Sequence, residues 1–383
     1  MPTPTHDQII DALRPVEDPE LRRSIVDLDM VRDVRIGDDG VVGVLIALTV
    51  AGCPLRNEIQ NRVGGAVTQV AGVTGYTLEF TVMTDQEREV LRAKLGGGQG
   101  HSHAAPTGGH GHAEGKAVPF NEPGNKTRPL LISSGKGGVG KSSVTVNLAV
   151  ALASQGYSVG IVDADIYGYS VPRMLGTDRD PVVIDDMLIP PENHGVRCIS
   201  IGYFVPEGQA IIWRGPMLHK ALEQFLADVF WDDPDFLLID MPPGTGDIAL
   251  SLSQYLPRGE VYVVTTPQPA AQKVAALSAA MAAKVNLPVK GIIENMSWFT
   301  GDDGTRYEIF GAGGGQALAD DLGVPLLGRL PLVPELREGG DNGTPITISH
   351  PESEAAQAFQ AMAHRIATEL KSKKIFSPAL KVN

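Results

Sequence analysis

A glycine-rich stretch at residues 133–143, SSGKGGVGKSS, constrains the fold of this chain more than any other feature. The apolar run PLLI comes directly before it and predicts a buried strand, and the Ala/Leu/Val-rich run that follows, residues 144–154, predicts a helix. Strand, glycine-rich loop and helix in this order are the context in which G-x-x-x-x-G-K-[ST] marks a phosphate-binding loop. A chance glycine-rich turn would not need both flanks, so we predict a nucleotide site.

The composition of the loop suits a bound nucleoside triphosphate. Its glycines let the backbone approach the phosphates and direct successive N–H groups into one concavity, and the positive end of the helix adds to that field. Lys141 brings a full charge to the β- and γ-phosphates, and Ser142 offers its hydroxyl to Mg²⁺. We expect ATP to contact Gly135, Lys136, Gly137, Gly138, Val139, Gly140, Lys141, Ser142 and Ser143.

Polar side chains end three further apolar runs. The run VGIV leads to Asp163 and Asp165, FLLI leads to Asp240, and GIIE leads to Asn295. The carboxyl ends of parallel strands face the ligand crevice of a doubly wound sheet, so these side chains are predicted to meet the nucleotide. Asp240 is expected to hold Mg²⁺ near Ser142, and the amide of Asn295 can bond an adenine edge. A solvated surface loop remains the alternative for the Asp163–Asp165 segment.

The sequence divides into four segments. Residues 126–370 alternate predicted strands and helices, which indicates an α/β domain with a doubly wound, mostly parallel sheet. Residues 1–95 show the order helix, strand, strand, helix, strand, which predicts a small α+β domain. Residues 96–125 are rich in Gly, Pro and His and predict a flexible linker, and residues 371–383 predict a polar tail.

Two His-x-His pairs in the linker leave its role open, namely His101 with His103 and His110 with His112. Such tracts bind divalent transition metals weakly, which would suit a metal-trafficking protein. A polar tether without a metal is the alternative.

Composition excludes several classes of protein. The formal net charge of −13 over 383 residues argues against a general binder of nucleic acid or of anionic membranes. No apolar run approaches the roughly 20 residues of a membrane span, and the start of the chain has no basic and apolar signal pattern. The two cysteines, Cys53 and Cys198, lie too far apart in sequence for a disulfide framework, and Cys198 alternates like a core strand residue. We expect a cytoplasmic protein without a stable membrane anchor or a nucleic-acid partner.

The second lysine of GKGGVGKS, Lys136, makes the loop resemble the deviant Walker A loop of the MinD, ParA and Mrp group of ATPases. The resemblance implies a Mg²⁺-dependent ATPase and a homodimer, in which Lys136 reaches the ATP of the partner subunit. The segment DADIYG is similar to switch I of that group, which implies that Asp165 positions or activates the attacking water and that Asp163 lies near Mg²⁺. A solvated loop lysine is the alternative for Lys136.

The loop together with DADIYG, LLIDMPPGTGD, IIENMS and EIFGAGGG resembles the Mrp/ApbC iron–sulfur carrier ATPases over residues 126–370. DPELRRSIVDLDMV and LTVAGCPL are similar to the small domain of SufT and of cytosolic iron–sulfur assembly factors, over most of residues 5–95. That resemblance implies a functional role for Cys53, whose place before a predicted helix favours the metal-binding thiolate. A small buried apolar residue is the alternative.

One departure from the resembling family concerns the cluster itself. Most members carry a Cys-x-x-Cys pair after the asparagine strand, and two subunits pool four thiolates around a [4Fe–4S] cluster. Gly301 and Gly304 occupy those places here and cannot coordinate iron. Three possibilities stay open: a cluster on Cys53, oxygen ligands from Asp302 and Asp303, or an ATPase that serves only as an assembly scaffold.

The leading hypothesis is therefore a dimeric ATPase that binds iron–sulfur clusters and transfers them to apoproteins. The rival hypothesis is a positioning or partner-recruiting switch, similar to MinD and ParA, that carries no cluster.

Overall fold

The computed structural model of the chain describes residues 3–50, 55–95, 117–122, 124–165, 168–205, 215–244, 247–370 and 372. Cys53, the histidine pairs of the predicted linker and nearly all of the predicted polar tail lie outside these residues. None of the described helices combines the length and the apolar character needed to cross a membrane.

The elements of the first part of the chain, in order, are α1 (His6–Leu13), β1 (Val31–Ile36), β2 (Val41–Leu48), α2 (Arg56–Val67), β3 (Gly75–Val82) and α3 (Asp85–Lys94). The remaining elements are β4 (Arg128–Ser134), α4 (Lys141–Ser154), β5 (Val159–Asp163), α5 (Val171–Leu175), β6 (Val182–Ile184), β7 (Met187–Ile189), β8 (Glu192–Asn193), β9 (Val196–Ser200), α6 (Gly215–Ala227), β10 (Phe236–Asp240), α7 (Asp247–Tyr255), β11 (Glu260–Thr265), α8 (Pro269–Lys284), β12 (Val289–Glu294), β13 (Phe299–Thr300), β14 (Arg306–Tyr307), α9 (Gly314–Leu322), β15 (Leu326–Arg329), α10 (Pro334–Asp341), α11 (Ile346–Ser349) and α12 (Glu354–Thr368).

The chain forms two compact units, of which the first comprises Met1–His112 together with the β6–β7 hairpin. Its sheet has the order β1-β2-β3, with β1 antiparallel and β3 parallel to the central strand. Helix α1 begins with a capping box between Thr5 and Gln8, and Ile9 and Leu13 on one side of the helix are buried. The predicted small α+β domain is confirmed.

Helix α3 was not predicted from the sequence. It begins with a second capping box, in which Thr84 accepts from the backbone N–H of Glu87 and the side chain of Glu87 accepts from that of Thr84. Thr-x-x-Glu before a helical run is a signal that sequence alone provides, so this helix could have been found.

The second unit, Ala113–Pro181 with Pro190–Asn383, is organised around an eight-stranded sheet of order β15-β12-β11-β4-β10-β5-β9-β8. Every pairing from β15 to β9 is parallel, and only β8 runs antiparallel to its neighbour. Strands β5, β10 and β11 are buried at every residue, as expected of a parallel sheet covered on both faces. This is the doubly wound α/β architecture that the sequence predicts.

Helix α4 is the most buried helix next to this sheet. It contacts β4, β5 and β10 on one side and α12 on another, and its residues 144–152 are all buried. Helix α12 adds Phe359, Met362 and Ile366 to the same core. On the other face of the sheet, Ser278 of α8 lies 2.6 Å from Ser133 of β4, Oγ to Oγ. Packing on both faces therefore fixes the loop that joins β4 to α4.

The predicted flexible linker, residues 96–125, ends earlier than the sequence suggests. Val118 and Phe120 are buried, in and beside a short 3-10 turn at Pro119–Asn121. The guanidinium of Arg258 donates to the backbone carbonyls of Phe120 and Asn125, each at 3.0 Å. Val118, Phe120 and Arg258 thus fix the end of the predicted linker in place. The Gly- and Pro-rich composition around these residues predicts a flexible segment there instead.

Candidate nucleotide site

The glycine-rich loop runs from the end of β4 to the start of α4, as predicted. Gly140 forms the N-cap of α4 in the left-handed region, at φ 82°. A Cβ on Gly135 would lie 2.2 Å from the backbone carbonyl carbon of Val274 in α8, so this position needs glycine for close packing. The backbone of the loop thus depends on glycine both for a left-handed conformation and for close packing against α8.

Asn295, directly after β12, touches this loop. The residue is 2% exposed, and its Nδ2 donates to the backbone carbonyl of Val139 at 2.9 Å. A Cβ on Gly140 would lie 2.2 Å from the same Nδ2, which explains a glycine there. Within the described part of the chain, Oδ1 of Asn295 has no hydrogen-bond partner. Its predicted contact with adenine remains a prediction, and its contact with the loop was missed.

The lysine, serine and acid of the predicted phosphate and metal site lie together. Lys141 Nζ and Ser142 Oγ each donate to Oδ2 of Asp240 at 2.6 Å. Lys141 is 6% exposed and Asp240 is fully buried. The structure brings these three side chains into one hydrogen-bonded group at the carboxyl edge of the central strands.

Asp163 and Asp165 lie beside this group. Asp163 on β5 is the register partner of Asp240 on β10, so two buried carboxylates stand side by side. Burial, followed by the neighbouring charge of Asp240, raises the pKa of Asp163 well above its ordinary value. Ser200 Oγ donates to Asp163 at 3.0 Å, and Oδ2 of Asp165 lies 3.7 Å from Lys141 Nζ.

The donor set of this group fits a magnesium ion. Mg²⁺ prefers oxygen ligands, and the side chains of Ser142, Asp163 and Asp240 present only oxygen. Two adjacent buried carboxylates have one buried lysine to balance their charge, so a divalent cation would relieve their repulsion. These residues therefore suit Mg²⁺ once a nucleotide attracts Lys141.

Lys136, Val139 and Ser143 of the loop lie outside the hydrogen-bonded group around Asp240. Lys136 is exposed, and its Nζ lies 3.5 Å from Oε1 of Gln268. Val139 is 2% exposed and packs into the core, and Ser143 Oγ lies 3.9 Å from the sulfur of Met174. The action of Lys136 on the nucleotide of a second subunit stays a prediction.

The segment in which the resembling family carries cysteines is a small hairpin, β13 paired with β14. Its turn is closed by Gly304 N–H, which donates to the carbonyl of Gly301 at 2.9 Å, and Gly304 is left-handed at φ 78°. Asp303 accepts from the backbone N–H and the hydroxyl of Thr305, at 2.9 and 2.8 Å. Among the described residues, no group of three or more His, Cys, Asp or Glu side chains is placed to hold a metal. The carboxylate of Asp303 is occupied by its two hydrogen bonds to Thr305 within the turn.

Two hydroxyl residues of the site were missed from the sequence. Thr145 Oγ1 donates to Oδ1 of Asp240 at 2.6 Å, and Ser200, at the end of β9, donates to Asp163. Thr145 lies four residues after Lys141, on the same face of α4, and Ser200 ends a strand in the same way as the predicted acids. Both signals are therefore in the sequence. However, only the order of the strands in the sheet shows that Thr145 lies next to Asp240 and Ser200 next to Asp163.

A parallel doubly wound sheet, a glycine-rich loop before a helix and a lysine–serine–aspartate group beneath it define a P-loop nucleotide-binding protein. Comparison with known families gives a more specific assignment. The family model described as NUBPL iron-transfer P-loop NTPase matches residues 125–367, and the model described as iron-sulfur cluster assembly protein matches residues 6–77. The chain belongs to this family of iron-transfer P-loop NTPases.

Relatives across nearly the whole chain carry one name. A protein of Mycobacterium tuberculosis named iron-sulfur cluster carrier protein is 45% identical over 363 residues, which cover 93% of this chain and 92% of that protein. A protein of Synechocystis with the same name is 41% identical over 371 residues, covering 95% and 97%. These relatives favour the predicted carrier function over the positioning alternative.

Solved structures agree on the fold of the second unit. A nucleotide-binding protein of Archaeoglobus fulgidus in complex with ADP is 32% identical, with a TM-score of 0.52, over 61% of this chain and 93% of that one. The cell division ATPase MinD of Pyrococcus furiosus is 26% identical, with a TM-score of 0.50, over 63% and 99%.

Proposed function

We propose that the chain is a Mg²⁺-dependent ATPase that carries an iron–sulfur cluster as cargo and passes it to apoproteins. The observation that carries the nucleotide part is the buried group of Lys141, Ser142 and Asp240 beneath the glycine-rich loop. The cargo is supported by relatives that span more than nine tenths of the chain and bear the carrier name.

In the proposed complex the loop amides and Lys141 bind the phosphates. Lys141 would leave Oδ2 of Asp240, and the released oxygen, with Ser142 and Asp163, would hold Mg²⁺. The ion would supply positive charge to the phosphate oxygens during phosphoryl transfer. Asp165, whose Oδ2 lies 3.7 Å from Lys141 Nζ, would orient the water that attacks the γ-phosphate, giving ADP and phosphate.

We further propose a homodimer in which Lys136 acts on the nucleotide of the partner subunit. The exposed position of Lys136 supports this role, because an exposed charge can approach a second chain. The charge of Lys136 would reach the γ-phosphate of the partner subunit, and stabilise the transition state there, only after the dimer has formed. Hydrolysis would thereby be coupled to dimer assembly.

For the cargo we propose Cys53 as the cluster ligand. The other cysteine, Cys198, is fully buried, and burial raises the pKa of its thiol, so it stays protonated and inert. The turn at Gly301 and Gly304 has no thiol, and Asp303 is bound to Thr305. Four thiolates hold such a cluster, so Cys53 from two chains would supply two of them, and other thiols, such as those of the recipient protein, would supply the rest.

Apoproteins and assembly factors are the proposed partners, and the cytoplasm is the proposed location. A free buried Cys198 suits a reducing compartment. A positioning switch without cargo is the alternative, supported only by the likeness of the second unit to MinD.

The test is iron and acid-labile sulfide per chain after anaerobic reconstitution, for the parent, Cys53→Ala and Cys198→Ala. Cys198→Ala is the matched control, since it removes the buried thiol only. We expect the parent and Cys198→Ala to retain iron and sulfide together and Cys53→Ala to lose both, because a thiolate ligand is lost.

Transfer to an apo iron–sulfur protein is then followed with and without ATP and Mg²⁺, with Lys141→Ala as the nucleotide-site control. If the parent retains no sulfide, the carrier proposal fails and the nucleotide switch becomes the better account.

A further inference from the structure

The two oxygens of the buried carboxylate of Asp240 have different partners. Oδ2 accepts from Lys141 and Ser142, the residues proposed for phosphate and metal binding. Oδ1 accepts from Thr145 Oγ1 at 2.6 Å. Thr145 is fully buried on α4, one turn after Lys141.

The hydroxyl of Thr145 has two acceptors within reach but one proton. The backbone carbonyl of Lys141 lies 3.0 Å from Oγ1, and Oδ1 of Asp240 lies 2.6 Å from it. A hydrogen bond to a carboxylate is shorter and stronger than one to a neutral carbonyl. The hydroxyl of Thr145 therefore donates its proton to Oδ1 of Asp240 and not to the carbonyl of Lys141.

This bond restricts a side chain that is otherwise soft. The terminal torsion of an aspartate has no sharp minima, so a carboxylate at a strand end can turn about its axis. Strand β10 fixes the backbone of Asp240 between β4 and β5, and Thr145 fixes one oxygen of its side chain. The other oxygen is thereby directed at Lys141 and Ser142.

We propose that Thr145 is a positioning residue for metal-assisted nucleotide binding: by holding Oδ1 of Asp240, it presents Oδ2 to the cation when Lys141 moves to the phosphates. This inference rests on the proposed Mg²⁺-dependent nucleotide site and adds a residue that does not itself touch the nucleotide or the ion. Removing a hydrogen-bond partner of a metal ligand lowers metal affinity by about 10- to 100-fold.

The experiment measures equilibrium binding of a fluorescent ADP analogue to the full chain, with Mg²⁺ and with excess EDTA. The variants are Thr145→Val, which keeps the shape and removes the hydroxyl, and Thr145→Ser, which keeps the hydroxyl and removes a methyl group. Ser154→Ala, at the other end of the same helix, is the matched control, since its hydroxyl donates to the carbonyl of Ala151 far from the loop.

We expect Mg²⁺ to tighten binding in the parent, in Thr145→Ser and in Ser154→Ala by a similar factor. In Thr145→Val that factor falls by about tenfold or more, while the affinity in EDTA stays at the parent value. Circular dichroism of each variant confirms that it is folded.

Three results would overturn the inference. If Thr145→Val retains the full effect of Mg²⁺, the hydroxyl does not position Asp240. If Thr145→Ser and Thr145→Val lose the effect equally, packing of the methyl group and not the hydrogen bond is responsible. A parent that shows no effect of Mg²⁺ would instead overturn the Mg²⁺-dependent site itself, and the inference with it.

Discussion

Lys141 and Asp240 form a buried ion pair. Moving two charges out of water is costly, and here Ser142 and Thr145 add hydrogen bonds to the carboxylate that offset part of that cost. The sequence predicts Lys141 and Asp240 from their motifs, but it assigns Lys141 to a phosphate and Asp240 to a metal. Their pairing with one another could not be predicted, because motifs describe the liganded site.

Asp18, a buried carboxylate of the first unit, makes the stability of that unit depend on pH. Its Oδ1 accepts from the backbone N–H groups of Glu20 and Leu21, each at 2.9 Å, and burial raises its pKa above the ordinary value. The folded state therefore binds this proton more tightly than the unfolded chain. The contribution of Asp18 to stability is fully present below the unfolded pKa of about 3.9 and is lost as pH rises through the folded pKa.

In Asp18→Asn the same oxygen can accept both N–H groups without a charge. We expect hydrogen exchange of the first unit to become slower in Asp18→Asn, relative to the parent, as pH rises from about 4 to 7, after correction for the intrinsic exchange rate. Asp7→Asn, at a fully exposed helix position, should follow the parent at every pH. A difference between Asp18→Asn and the parent that stays constant with pH would contradict a raised pKa for this carboxyl.

At the scale of elements, the strands of the sheet were predictable and the small hairpin was not. Long apolar runs bounded by polar ends gave β4, β5 and β10 to within two residues, because a strand buried on both faces has few alternatives. The β13–β14 hairpin has two residues in each strand and depends on tertiary contacts. The guanidinium of Arg306 lies 4.7 Å from the ring centroid of Trp298, and Arg329 lies 5.4 Å from it.

This hairpin should accept a cluster when thiols are restored. The variant Gly301→Cys/Gly304→Cys in a Cys53→Ala background is expected to retain about two iron and two sulfide per chain, a four-iron cluster shared by two chains. A side chain at Gly304 meets no atom within 4 Å but adopts a left-handed backbone, which costs about 1–2 kcal/mol. Iron and sulfide content and visible absorption after anaerobic reconstitution are the measurements.

The matched control places the same number of thiols on the same hairpin, as Thr300→Cys/Thr305→Cys. These positions lack the Cys-x-x-Cys spacing, and we expect them to retain no sulfide. Equal iron and sulfide in both double variants would show that the spacing is irrelevant, and absence from both would show that this turn cannot face a second chain.

For the whole molecule, the division into a small α+β domain and a large α/β domain follows from the period of the apolar pattern. What the pattern could not supply is the order of the sheet and the placement of distant segments on it. Arg258 holding Phe120 and Asn125, and Arg128 donating to the carbonyl of Ile366 at 2.7 Å, are contacts between residues more than 130 apart in sequence. Such contacts are decided by the fold and not by local preference.

Helix α12 covers one side of the large hydrophobic core. Phe359 is fully buried against the sheet and α4, so Phe359→Ala should lower the free energy of unfolding by about 3–5 kcal/mol. Urea unfolding followed by the fluorescence of the buried Trp231 reports on this unit. Gln357→Ala, exposed on the same helix, should stay within about 0.5 kcal/mol of the parent. A loss under about 1 kcal/mol for Phe359→Ala would mean that the core does not need this helix.

The bond between Arg128 and Ile366 also has a consequence during synthesis. These residues are 238 positions apart, and at about 5–20 residues per second the ribosome adds the second roughly 12 to 48 s after the first. The three-stranded sheet of the first unit is complete once Val82 has emerged. The nascent chain thus forms the sheet of its first unit early and leaves the apolar face of α4 uncovered until α12, Glu354–Thr368, has been made. During that interval the exposed apolar surface favours binding of a chaperone.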